Sequence, residues 1–217
     1  MGSGLSLLNR RTFVYIDAAN LFYGGEKSLG WRIDYQKLLL YLQRKYQTSS
    51  VYYFGGVEIH GFPYDYLISE SVSIYELEKY LSKLLEGTTI RTNTEERERL
   101  ERHHKRARFY KKLDAFGYSL VLKPVKIYTD GDGKESRKAN CDVDMALQLL
   151  TQMDLFDRVI VLSGDGDFLP VLKYLRNNNK EVLVLSRGPR TAKEIKQFAG
   201  NMFLDFEYLR EILKEIN

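Results

Sequence analysis

Short, nearly unbroken apolar runs along the chain alternate with stretches in which apolar residues recur every three or four positions. The runs are Thr12–Ile16 (TFVYI), Ser50–Val57 (SVYYFGGV), Tyr118–Tyr128 (YSLVLKPVKIY), Arg158–Ser163 (RVIVLS) and Glu181–Ser186 (EVLVLS). A strand with one wet face alternates apolar and polar residues, whereas a strand covered on both faces of a parallel sheet does not. The runs therefore predict doubly covered strands. Helical spacing predicts helices over Asp34–Tyr46, Asp142–Met153, Phe168–Asn177 and Thr191–Phe198. Strand followed by helix, repeated, predicts a three-layer α/β architecture: a central, mainly parallel sheet with helices on both faces.

Between Gly61 and Gly117 the pattern departs from a minimal strand–helix–strand unit. It predicts two helices, Leu67–Leu85 and Glu95–Phe116, where one would link the flanking strands. Residues 61–94 are thus expected to be a helical insertion in a single domain spanning 12–210. Residues 1–11 read as a tail and 211–217 as the end of a C-terminal helix. The polar loop Thr129–Lys138 (TDGDGKESRK) is expected to be mobile.

Composition narrows the chemistry. At 217 residues, 44% hydrophobic and 29% charged, the chain is an ordinary globular sequence with enough length for a sizeable core. It has no apolar run of membrane-spanning length, and MGSGLSLLNRR lacks the architecture of a signal peptide. One cysteine, Cys141, excludes an internal disulfide and suits a reducing cytoplasm. Three histidines, two of them adjacent, argue against a histidine-based metal centre, so any bound metal is expected to take oxygen ligands. Net charge is only +4, but the cations cluster. RHHKRARFYKK carries Lys105 and Arg106 beside Phe109 and Tyr110, Lys138 precedes Asp142, and Arg187, Arg190 and Lys193 follow the last apolar run. Such clusters attract a polyanion by counter-ion release; solvated helix faces are the plainer alternative.

The acids carry the sharper signal. Asp17 ends the first run with Asn20 three residues on, Asp142 opens a helix, and Asp165 and Asp167 follow the fourth run in SGDGDF. In a parallel sheet the carboxyl ends of strands and the N-termini of the following helices share one edge, where ligands bind. Four carboxylates crowded there repel one another unless a hard divalent cation, magnesium or manganese, sits among them. Singly, each has a simpler reading: Asp17 or Asp142 as a cap, Asp167 as the N-cap of the helix from Phe168, with Gly164 and Gly166 freeing the backbone around Asp165. Asp144, two residues from Asp142, faces elsewhere. No GxxxxGK[ST] loop or GxGxxG fingerprint is present, so no nucleotide cofactor is expected.

Together FVYIDAANLF, NCDVDMALQLL and VIVLSGDGDFLPVLKYLRNNNKEVLVLS resemble the NYN domain, a branch of the PIN-like nuclease superfamily that includes LabA-like proteins. The likeness covers the first strand and nearly everything from Tyr118 to about Phe206. It implies a Rossmann-like PIN fold, a magnesium or manganese site, and hydrolysis of RNA phosphodiesters. By motif position it transfers site roles to Asp17, Asn20, Asp142, Ser163, Asp165 and Asp167, the four aspartates as metal ligands and Asn20 and Ser163 as orienters of water or phosphate. Lys105, Arg106, Lys138, Arg187, Arg190 and Lys193 are the expected RNA contacts. The family often carries a further acid six residues after the Asp142 position; here it is Gln148, which keeps a non-catalytic RNA-binding scaffold in play. A different metal-dependent phosphate enzyme is the remaining alternative. The 16 tyrosines leave a homodimer open.

Overall fold

A computed structural model describes residues 10–22, 27–87, 94–129, 131, 135–139 and 141–215. The chain forms two compact units, one of residues 1–52 and 142–217, the other of Tyr53–Cys141. A six-stranded sheet has the order β3-β2-β1-β6-β7-β8, formed by β1 (Thr12–Asp17), β2 (Thr48–Val57), β3 (Ser119–Pro124), β6 (Arg158–Leu162), β7 (Glu181–Ser186) and β8 (Phe203–Asp205).

In the first unit the pairs β1–β6, β6–β7 and β7–β8 are all parallel, with Ile16 opposite Leu162 and Val161 opposite Val184. Every residue of β1 and four of the five in β6 are buried, as their unbroken apolar runs require. Helices α1 (Lys27–Leu29), α2 (Tyr35–Tyr46), α5 (Asp142–Thr151), α6 (Leu169–Asn177), α7 (Lys193–Ala199) and α8 (Arg210–Leu213) alternate with the strands. α2 starts where Asp34 accepts the Lys37 N–H, stops where Gln47 turns left-handed at φ 54°, and buries Tyr35, Leu38, Leu39 and Leu42.

In the second unit α3 (Ile74–Glu86) packs on α4 (Thr94–Phe116). α4 has a buried stripe of Leu100, His103, Ala107, Tyr110 and Leu113 against an otherwise charged surface. The apolar stretch expected as one strand breaks at Val125, whose N–H turns to the Val57 carbonyl. Beyond the break β4 (Lys126–Thr129) pairs antiparallel with β5 (Glu135–Lys138), so part of the expected mobile loop is a hairpin strand. Residues 130 and 132–134 of that loop lie outside the described residues. The first insertion helix is shorter than its periodicity suggests. Asp65 Oδ1 accepts the N–H groups of Leu67 and Ile68 at 2.8 and 3.3 Å, fixing a turn there, and the helix begins only at Ile74.

Candidate metal centre

The strand order reverses between β1 and β6, and the carboxyl ends flanking such a reversal form the ligand crevice of open α/β sheets. Asp17 ends β1 and Ser163 follows β6 at this point. The Ser163 hydroxyl donates to Asp17 Oδ2 at 3.0 Å, and the Asn20 N–H donates to Asp17 Oδ1 at 3.1 Å. Both oxygens of this carboxylate, in a residue only 8% exposed, are thereby oriented. The Asn20 side-chain oxygen accepts the Gly164 N–H at 3.0 Å and the Ser186 hydroxyl at 3.4 Å, joining the turn after β1 to the ends of β6 and β7. Asn20 and Ser163 therefore brace Asp17 and the SGDGD turn.

The turn itself differs from the expected one. Asp165, not Asp167, is the cap: its Oδ1 accepts the Asp167 N–H at 3.0 Å and starts a 3-10 turn, Gly166–Phe168, that leads into α6. Asp167 is left exposed. The two glycines serve proximity rather than backbone freedom. A Cβ on Gly164 would stand 2.7 Å from Ser186 Oγ, 2.8 Å from Thr191 Oγ1 and 2.9 Å from Thr191 Cα. One on Gly166 would collide with the carboxylate of Glu194. Glu194 is a residue the sequence reading missed. Its signal was an acid in the first turn of a helix that follows a strand to this same edge.

Asp142 is the first residue of α5, a helix that packs on β1. Although the residue is exposed, local burial and then the charges of Asp17, Asp165 and Asp167 push its carboxyl up to about 6. The Asp17 carboxyl is raised chiefly by burial and further by Asp165, against the lowering effect of its hydrogen bonds from Asn20, Ser163 and Ala19. The four acids thus share one electrostatic neighbourhood. Among the described residues no three His, Cys, Asp or Glu side chains are already spaced around a single point. A hard divalent cation that keeps several of its waters takes only one or two carboxylates directly, and the chemistry of this all-oxygen set fits such an ion.

The cations divide. Arg187 is engaged: its guanidinium lies 3.0 Å from Asp205 and 3.7 Å from Glu207, with its side chain 18% exposed. That pairing meets much of its charge within the fold. Arg190 and Lys193 are exposed. Lys105 and Arg106 are exposed on α4 of the second unit, and Arg106 lies 3.6 Å from Glu58. Lys138 belongs to β5, its side chain outside the described residues. Gln148 sits on α5, half-buried, and brings no charge.

The profile of the NYN domain matches residues 85–207. This chain belongs to the NYN domain family. The match takes in Asp142, Ser163, Asp165 and Asp167, while Asp17 and Asn20 precede it. The Low amplitude and bright protein LabA of Synechococcus elongatus is 21% identical over 209 residues, which are 94% of this chain and 88% of LabA. A solved protein of unknown function from Vibrio parahaemolyticus has the same fold, with a TM-score of 0.62 at 20% identity over 94% of this chain and 96% of that one. Among the described residues no helix of this NYN protein is long and apolar enough to cross a membrane.

Proposed function

We propose that this NYN protein is a metal-dependent ribonuclease, hydrolysing RNA phosphodiester bonds at the carboxyl edge of its sheet. The observation that carries the reading is that Asp17 and Asp142, at the strand-order reversal, are both raised, first by burial and then by neighbouring carboxylates: Asp165 for Asp17, and Asp17, Asp165 and Asp167 for Asp142. Anions crowded at a ligand crevice are a source of binding energy for a cation. Bound magnesium or manganese would supply a Lewis acid and a water of lowered pKa. Asp17, Asp142 and Asp165 hold the cation, and Asp167, exposed, is the further oxygen donor. Ser163 and Asn20 keep Asp17 and the turn after β6 in register. Arg190 and Lys193 grip the phosphates of an RNA strand, without sequence readout, from the loop and helix that follow β7.

Gln148 favours a second reading, an RNA-binding scaffold that does not cut, because it removes one acid from α5. One experiment separates the two. A pool of labelled single-stranded and structured RNAs is incubated with wild type and Asp165→Asn in manganese, magnesium or EDTA. Asparagine keeps the cap to the Asp167 N–H and removes only the charge. Metal-dependent cleavage that falls at least ~100-fold in the variant supports the nuclease. Intact RNA that both proteins nevertheless bind supports the scaffold.

A further inference from the structure

The turn that precedes α3 in the second unit leaves two adjacent aliphatic side chains almost wholly in water. Leu67 is 96% exposed and Ile68 81%, with Tyr66 beside them at 58%. Single apolar residues on a surface are ordinary, but three in a row at the tip of one turn make a contiguous patch of the kind that marks a contact surface. The turn is firmly held. Asp65 Oδ1 accepts the N–H groups of Leu67 and Ile68, and the Tyr64 hydroxyl donates to the Ser69 carbonyl at 2.7 Å. The Tyr64 and Tyr66 rings meet edge to face at 4.9 Å. Lys126 lies over the Tyr66 ring, so Leu67 and Ile68 form the bare tip. A knob fixed in advance loses little conformational entropy when it docks. Its charge is one-sided: residues 62–71 hold two acids, Asp65 and Glu70, both exposed, and no base.

Such a knob is received by an apolar recess lined with cations, and the first unit has one. Between α2 and α8 lies a groove of about 370 Å³. Leu40, Tyr41 and Ile212 supply its apolar lining, with Leu40 and Ile212 both exposed. Lys37, Arg44 and Lys45 supply the rest, and no acid lines it among the described residues. Lys37 donates to the Lys214 carbonyl at 2.9 Å, tying the end of α8 to α2. Lys45 donates to the Tyr41 hydroxyl at 2.9 Å. The groove is therefore also formed in advance. An acid-flanked aliphatic knob and a cation-lined apolar groove, both uncovered on the same chain, are complementary in polarity and in sign.

We propose that the Tyr66–Ile68 turn of one copy docks in the α2–α8 groove of a second copy of this chain. Leu67 and Ile68 cover Leu40 and Ile212, while Asp65 and Glu70 face Arg44 and Lys45. The contact joins two different surfaces, so it either closes as a reciprocal pair or propagates head to tail. Patches this small place it at the weak end of the range of interfaces, and its charges make it sensitive to salt. None of the aspartates of the candidate metal centre takes part, so the interface stands or falls apart from the nuclease reading.

The test is sedimentation velocity of the full chain over a dilution series at low and high salt. Wild type runs beside Leu67→Ser with Ile68→Ser, and beside Arg44→Glu with Lys45→Glu. All four side chains are exposed, so both variants should keep the fold, which circular dichroism checks. The expected result is a wild-type mass that rises with concentration above that of one chain, and an association at least ~10-fold weaker in either variant. A mixture of Leu67→Cys and Leu40→Cys should also form a disulfide joining the two variants, since the native Cys141 is buried. A wild type of single-chain mass throughout, an association unchanged in either variant, or failure of the mixed disulfide would overturn the interface. So would loss of RNA binding in Arg44→Glu with Lys45→Glu at unchanged mass, which would make the groove a track for nucleic acid.

Discussion

A carboxylate among carboxylates resists ionisation, and Asp142 registers that crowding most clearly. In metal-free protein its carboxyl should titrate at about 6, as followed by carbon-13 chemical shifts. Asp165→Asn should lower that value by removing a like charge, whereas a rise would disprove the shared neighbourhood. The direction for stability follows. A folded value raised above the ordinary 3.8 means that this group's contribution is fully present below about 3.8 and lost as pH rises through about 6. The metal-free protein should therefore gain from this group on mild acidification, and saturating manganese should abolish the gain. Asp17, Asp142, Asp165 and Asp167 were all readable in the sequence, because each follows a strand or opens a helix at the same edge. The division of labour among them was not. Which aspartate caps the turn depends on Asp165 standing at the extended position before a 3-10 turn, and a pattern of D, G and D fits either choice.

Gly164 is where two elements meet most tightly. Gly164→Ala should destabilise the protein by about 1–3 kcal/mol, because the opposing atoms include the Thr191 backbone, which cannot rotate away. Urea unfolding would measure this, and an unchanged midpoint would show that the strand ends can part. Arg187 and Lys193 should separate in the same manner. Arg187→Ala leaves Asp205 and Glu207 short of a partner and should cost about 1–3 kcal/mol. Lys193→Ala should stay within about 0.5 kcal/mol of wild type while reducing the salt dependence of RNA binding by roughly one charge. Periodicity located α2, α5, α6 and α7 to within a few residues, since each buries one apolar face. It failed at Leu67 and Ile68, which carry helical-looking apolarity but stand 96% and 81% exposed on the turn that Asp65 caps. It also failed at β5, whose residues ESRK have no apolar pattern and are strand only because β4 offers them a partner.

For the molecule as a whole, unbroken apolar runs were enough to indicate a parallel sheet, because burial on both faces leaves no polar alternation to find. They could not give the order of the strands. That order decides that β1 neighbours β6, and with it the position of the candidate metal centre. If the carboxylates bind an ion in the folded state alone, ligand linkage sets the size of the effect. Manganese at 100 times its dissociation constant should stabilise the protein by about 2.7 kcal/mol. The rise should be absent from a chain carrying both Asp142→Asn and Asp165→Asn, and its persistence there would place the ion elsewhere.

Asp17 and Ser163 are joined by a hydrogen bond across 146 positions of chain. Contacts of such long range form only after the intervening polypeptide exists. During synthesis, then, Asp17 leaves the ribosome with only its neighbour Asn20 to hold it, and Ser163 and the other acids are still unread codons. If the protein cuts RNA as proposed, the connectivity of the sheet keeps its acids apart until translation has passed β6.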